Sequence, residues 1–270
     1  MTLAFPRPLQ LEMIKQRFIE LQVAKSRAGK RTTPFLRRLV AGTVDEVARI
    51  HYAETYPTKC VQTSIAVQRL LGRLGIASRV WLGAFCAAEV FENPNVAGWG
   101  GFWGDDHHAW TTTEFYELVD LPVGEMTKHP RSARSDGIPM PPLWWDDISQ
   151  WPPVLRYLPD RAVEPAFPDP ADMEDLARFL QRVDQSFDER LASGSVEAVR
   201  FGPMLHGADS MNELHNTGHP WLERASLFLD RGAVLPPWIQ EREQELIAAH
   251  RAGQRAPTRL SHVTGEVRNG

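Results

Sequence analysis

With two cysteines in 270 residues, Cys60 and Cys86, the chain has too few thiols for a disulfide framework or a four-thiolate zinc site; one bridge or two free thiols remain, and a free, reactive thiol is expected. Charge of one sign is not in excess either. Its 30 Lys and Arg against 34 Asp and Glu leave a formal net charge of -4, which provides no broad basic field, so no nucleic-acid partner is expected. No apolar run approaches the roughly 18–20 residues that span a bilayer. The opening MTLAFPRPLQLEMIK lacks the basic start, apolar stretch and small-residue cleavage site of a secretory signal. The expectation is a cytoplasmic protein with no membrane partner. A composition 43% hydrophobic and 24% charged is that of an ordinary globular chain.

What is there begins with helical patterning. Residues 9–25 space Leu9, Met13, Ile14, Phe18, Leu21 and Val23 as one apolar face of a packing helix, and residues 35–53 read as a second helix stopped before Pro57. A basic stretch from Lys25 to Arg38 reads as a solvated face. TKCVQTSIAVQRLLGRLGI then carries Val61, Ile65, Val67, Leu70, Leu71 and Leu74 in a helical stripe that ends at Gly75. Thr58 is the expected N-cap. That places Cys60 in the first helical turn, where unpaired backbone N–H groups and the positive end of the helix dipole favour a thiolate.

The segment SRVWLGAFCAAEVF has the Val, Trp and Phe content of a strand, with Cys86 in its middle as a core residue. ENPNVAGWGGFWGDD is too rich in Gly and Asn for regular structure and is expected to be a loop. His107–Thr113 and Phe115–Leu121 read as a hairpin turning at Glu114. Folding back there brings His108 and Asp120, 12 residues apart in sequence, opposite or nearly opposite each other. His107 then points the other way. From residue 122 onward prolines interrupt every long element, and the segment reads as an irregular wrap anchored by Trp144, Trp145, Trp151 and Tyr157. Helices are expected over 171–192 and 237–252, and a frayed tail from Arg255.

A thiolate nucleophile needs a base that takes its proton and a carboxylate that orients the base and stabilises the imidazolium. Cys60, His108 and Asp120 supply those types on a helix start and two adjoining strands. The order Cys60, a helix ending in LGRLGI, a strand, His108-Ala109-Trp110, and a strand ending in Leu118-Val119-Asp120 resembles the catalytic core of the transglutaminase-like superfamily, within the papain-like thiol fold class. The resemblance covers about residues 55–123. It implies an α+β fold in which the Cys60 helix packs on an antiparallel sheet. An N-terminal helical region (1–53), a core (54–123) and a Pro/Trp-rich wrap with C-terminal helices (124–270) packed on that core complete the expected organisation.

The resemblance further implies a thiol-dependent acyl-transfer enzyme without cofactor. Cys60 would be nucleophile, His108 base and Asp120 orienter, acting on amides of peptides or proteins by hydrolysis, deamidation or transamidation through a thioester. The family pattern often has an acidic residue two places after the His-Trp pair, where this chain has Thr112. Tyr56 or Gln62 is the candidate second oxyanion donor beside the Cys60 N–H. Trp99, Trp103 and Trp110 are candidate substrate contacts.

Metal readings are weaker. Adjacent strand residues diverge, which sets Asp105, Asp106, His107 and His108 against a shared ion, and His206, His215 and His219 lack the Glu of a metalloprotease helix, so no metal site is expected. The rival expectations are a non-catalytic domain used for binding or assembly and a metal-dependent hydrolase built on the aspartate and histidine cluster.

Overall fold

The computed structural model describes residues 7–93, 97–102, 108–130, 136–146, 154–163, 167, 169–193, 201–207, 214–232 and 234–252. Helix α1, Arg7–Gly29, leads to α2, Pro34–Tyr52. Proline at the first helical turn costs no hydrogen bond there, and the Thr33 side chain accepts from the Leu36 N–H, so α2 starts as local chemistry dictates. Of the α1 side chains described, Ile19 and Val23 pack on the core, whereas Phe18 and Leu21 are exposed. The apolar face expected there is therefore only partly used.

A 3-10 turn, Ala53–Thr58, carries the chain into α3, Cys60–Arg73. Helix α3 ends as LGRLGI suggests: the Ile76 N–H donates to the Leu71 carbonyl, the Gly75 N–H to the Gly72 carbonyl, and Gly75 takes φ +70°. A residue with a Cβ would be strained in that position. The N-cap differs from expectation. It is Lys59, without a side-chain cap, because the Thr58 hydroxyl is turned back to the Thr55 carbonyl.

Among the described residues, six strands form one antiparallel sheet. Strand β1, Ser78–Val90, is its hub: the first half pairs with β3 (His108–Thr113), the second with β2 (Ala97–Phe102), and the middle with β6 (Leu155–Ala162). Strand β4 (Leu118–Asp120) joins β3 to β5 (Leu143–Trp145). Two expectations are corrected here. Within the segment read as a loop, Ala97–Phe102 is a strand, because the ladder to β1 satisfies its backbone despite the glycines. The Pro-rich wrap contributes β5 and β6, with Pro159 placed where the β1–β6 register shifts, next to Gly83.

Successive strand residues face opposite sides of a sheet, and the pairs Val80/Trp81, Leu118/Val119 and Leu143/Trp144 divide between two apolar clusters. Val80, Val119 and Trp144 pack with α2, α3 and α4 (Pro170–Ser193). Trp81, Leu118 and Leu143 pack with Trp221 and Leu222 of the helix Pro220–Asp230, which the sequence reading did not foresee. Helix Pro237–Arg251 sets Ile239 against Ala84, Cys86 and Leu158. The fold is thus α+β, with helices on both sides of an antiparallel sheet. The basic stretch is not wholly solvated: Arg37 is buried and pairs with the fully buried Glu117 at 3.1 Å. No helix among the described residues is long and apolar enough to cross a membrane.

Candidate active site

Where α3 begins, the Thr63 N–H makes the first helical bond to the Lys59 carbonyl, so the N–H groups of Cys60, Val61 and Gln62 open beyond the helix end. Cys60 is the first helical residue and is half-buried. The 3-10 turn before it is pinned from below. Its Tyr56 hydroxyl donates to Asp45 Oδ1 at 2.6 Å, Arg49 binds Asp45 and Glu125 at 2.8 and 2.7 Å, and Glu125 belongs to the 3-10 turn Pro122–Lys128 that follows Asp120. This network borders a cleft of about 290 Å³ lined also by Met140, Phe201 and His219. It ties the segment before Cys60 to the segment after Asp120.

His108 opens β3 opposite Gly83 of β1, and its ring is almost completely buried against Phe85 at 4.8 Å and Tyr157 at 6.2 Å between centroids. Extending the β3–β4 pairing of Thr111 with Val119 sets Asp120 opposite Trp110, so His108 and Asp120 are diagonal neighbours on one face. Nε2 of His108 lies 2.5 Å from Oδ2 of Asp120. An ionised carboxylate can only accept, so Nε2 carries the hydrogen and Nδ1 is the nitrogen left for sulfur. Cys60 lies near the same ring and favours its protonated form. Burial opposes an imidazolium here, yet the adjacent Asp120 carboxylate and the Cys60 contact outweigh it and push the His108 pKa up to about 10.

Asp120 is nearly inaccessible, and its Oδ2 also accepts from the Tyr157 hydroxyl at 2.7 Å. Its Oδ1 finds no hydrogen-bond partner among the described residues. The sequence reading took Tyr157 only as an anchor of the Pro-rich wrap, not as part of this site. The signal was present in the period-two spacing of Leu155 and Tyr157.

The remaining candidates are distributed differently. Trp110 is buried beneath the imidazole and packs edge-on against Tyr157 at 5.0 Å. Trp99 packs against Phe228 at 5.4 Å and pairs with Ala88, five residues along β1 from Gly83, about 16 Å at roughly 3.3 Å per residue. Trp103, Asp105, Asp106, His107, Trp151 and Arg255–Gly270 lie outside the described residues. Of the two oxyanion candidates, Tyr56 has its hydroxyl committed to Asp45, while Gln62 stays half-buried in the first turn of α3. Cys86 is fully buried among Ala84, Leu158 and Ile239, and burial pushes its thiol up to about 12. Both cysteines are free. The His219 Nδ1 accepts from the Trp221 N–H at 3.3 Å, a capping contact at the start of its helix. Comparison of the chain with protein-family models, with curated proteins and with solved structures finds no match.

Proposed function

We propose that the chain is a thiol-dependent acyl-transfer enzyme of the transglutaminase-like, papain-like kind, acting on amide bonds of peptides or proteins. One observation carries this reading: the His108 imidazole is hydrogen-bonded to Asp120 and lies within electrostatic reach of Cys60, three residues from α3, β3 and β4. In the proposed reaction the proton of Cys60 already rests on His108 Nδ1 in a thiolate–imidazolium pair, and the thiolate adds to the carbonyl carbon. The backbone N–H of Cys60, with Gln62 beside it, faces the developing oxyanion. Collapse expels an amine that takes the proton from His108 and leaves a thioester on Cys60. Water or a second amine, deprotonated by His108, then attacks the thioester and restores the thiolate–imidazolium pair.

Electrostatics favours this sequence of steps. Part of what holds the proton on His108 is the Cys60 charge, which vanishes on acylation, so the imidazolium becomes more acidic when a leaving group needs its proton.

The test is the rate of Cys60 alkylation by iodoacetamide against pH in a Cys86→Ser background, with and without His108→Ala. The expected result is an apparent thiol pKa well below about 8.5 that rises when His108 is removed. Accumulation of an acyl-enzyme on Cys60 from a p-nitrophenyl ester then reports turnover chemistry. A thiol that titrates near its ordinary value and ignores His108 would overturn the proposal and leave the domain a binding module.

A further inference from the structure

We infer that Tyr157 is a positioning residue of this site: its hydroxyl holds the Asp120 carboxylate so that one oxygen, Oδ2, faces His108, and draws charge from that oxygen as it does so. The inference rests on the proposed acyl-transfer reading. The terminal torsion of an aspartate is broad and its two ionised oxygens are equivalent, so the side chain alone does not fix the plane in which the carboxylate meets the imidazole. Here both donors converge on Oδ2, at 2.5 Å from His108 and 2.7 Å from Tyr157, and Oδ1 has no partner among the described residues. Rotation of the carboxylate would therefore break two hydrogen bonds together.

The tyrosine is itself held. Its ring is fully buried, packed on Phe85 at 4.8 Å and Trp110 at 5.0 Å, on a strand that pairs Tyr157 directly with Phe85. Burial, and then the Asp120 charge, raise its pKa well above the ordinary phenol value, so it stays a neutral donor across the working range. Among the described residues, the titratable groups acting on the His108–Asp120 pair include Cys60 from α3 and Tyr157 from β6, with Cys86 of β1 acting on Tyr157. A donor to a carboxylate weakens the hold of that carboxylate on a neighbouring cation. Loss of the hydroxyl must then strengthen the attraction between Asp120 and the imidazolium while freeing the carboxylate to turn.

The experiment is the Cys60 alkylation profile of Tyr157→Phe in the Cys86→Ser background. A thiolate–imidazolium pair gives two steps, thiolate formation at low pH and loss of the imidazolium proton at high pH. Tyr157→Phe is expected to lower the plateau between them and move the upper step upward by about half a pH unit or more. Tyr157→3-fluorotyrosine, a stronger donor of nearly the same size, is expected to move the upper step downward, and it decides the matter if the phenylalanine variant fails to fold. Upper steps that coincide with wild type, whatever the change in melting temperature, would make Tyr157 a packing residue and overturn the inference. If the wild type shows no His108-dependent step, the acyl-transfer reading fails first and this inference falls with it.

Discussion

Gly83 and Leu158 approach so closely that a Cβ placed on the glycine would stand 2.1 Å from the Leu158 carbonyl oxygen and 2.9 Å from the Asp160 amide nitrogen. The approach lies at the register shift between β1 and β6, beside Tyr157, while Gly83 faces His108 across the other ladder. Only a residue without a side chain lets β6 come near enough to deliver the Tyr157 hydroxyl to Asp120.

Gly83→Ala is accordingly expected to cost about 1–3 kcal/mol in urea unfolding, as overpacking does, and to slow Cys60 alkylation by drawing Tyr157 from Asp120. Gly98→Ala, where an added Cβ meets nothing within 4 Å, is the control and should stay within about 0.5 kcal/mol. Equal behaviour of the two variants would remove the close approach as an explanation.

His108 links folding to pH. Its folded-state value of about 10 exceeds the ordinary 6.5, so the folded chain binds this proton more tightly than the unfolded one. The stabilisation is complete below about pH 6.5 and is lost as pH rises through about 10. The melting temperature of wild type should fall between pH 7 and 10 more steeply than that of His108→Gln. Parallel slopes would mean that His108 has no such elevated value.

The Glu117 carboxylate is fully buried and accepts from the Thr32 N–H and hydroxyl, the Thr113 hydroxyl and Arg37 Nη2 at 2.7–3.1 Å. Arg37→Met leaves this charge without its cation and is expected to destabilise the protein by about 3–5 kcal/mol. Adding Glu117→Gln should recover part of that loss, as residues in one network are coupled. A double variant no better than the single would place the cost in lost Arg37 packing.

The helices other than Pro220–Asp230 were legible from their apolar spacing, and so was the hairpin that carries His108 and Asp120, since a one-residue slip would have exposed every core side chain. Cys60 could be placed at a helix start from the stripe that follows it. Its cap could not, because Thr58 and Lys59 differ by where the preceding 3-10 turn ends, a boundary set by Tyr56 on Asp45. Strands β2 and β6 were hidden for a shared reason. Glycine and proline weaken a strand locally, and here the long β1 compensates through pairings that no short window of sequence contains. Arg37 read as a surface charge because its partner lies 80 residues away.

That remoteness has a consequence for the chain as it is made. His108 is followed 12 residues later by Asp120, and Asp120 is met by Tyr157 after another 37. A growing chain therefore exposes the Cys60 thiol well before the groups proposed to activate it have been synthesised. Until the sheet closes, that sulfur has no base and no oriented carboxylate beside it and is slow to react. Reactivity, on this reading, switches on with the last strand to join the sheet, which spares the unfinished protein from its own nucleophile.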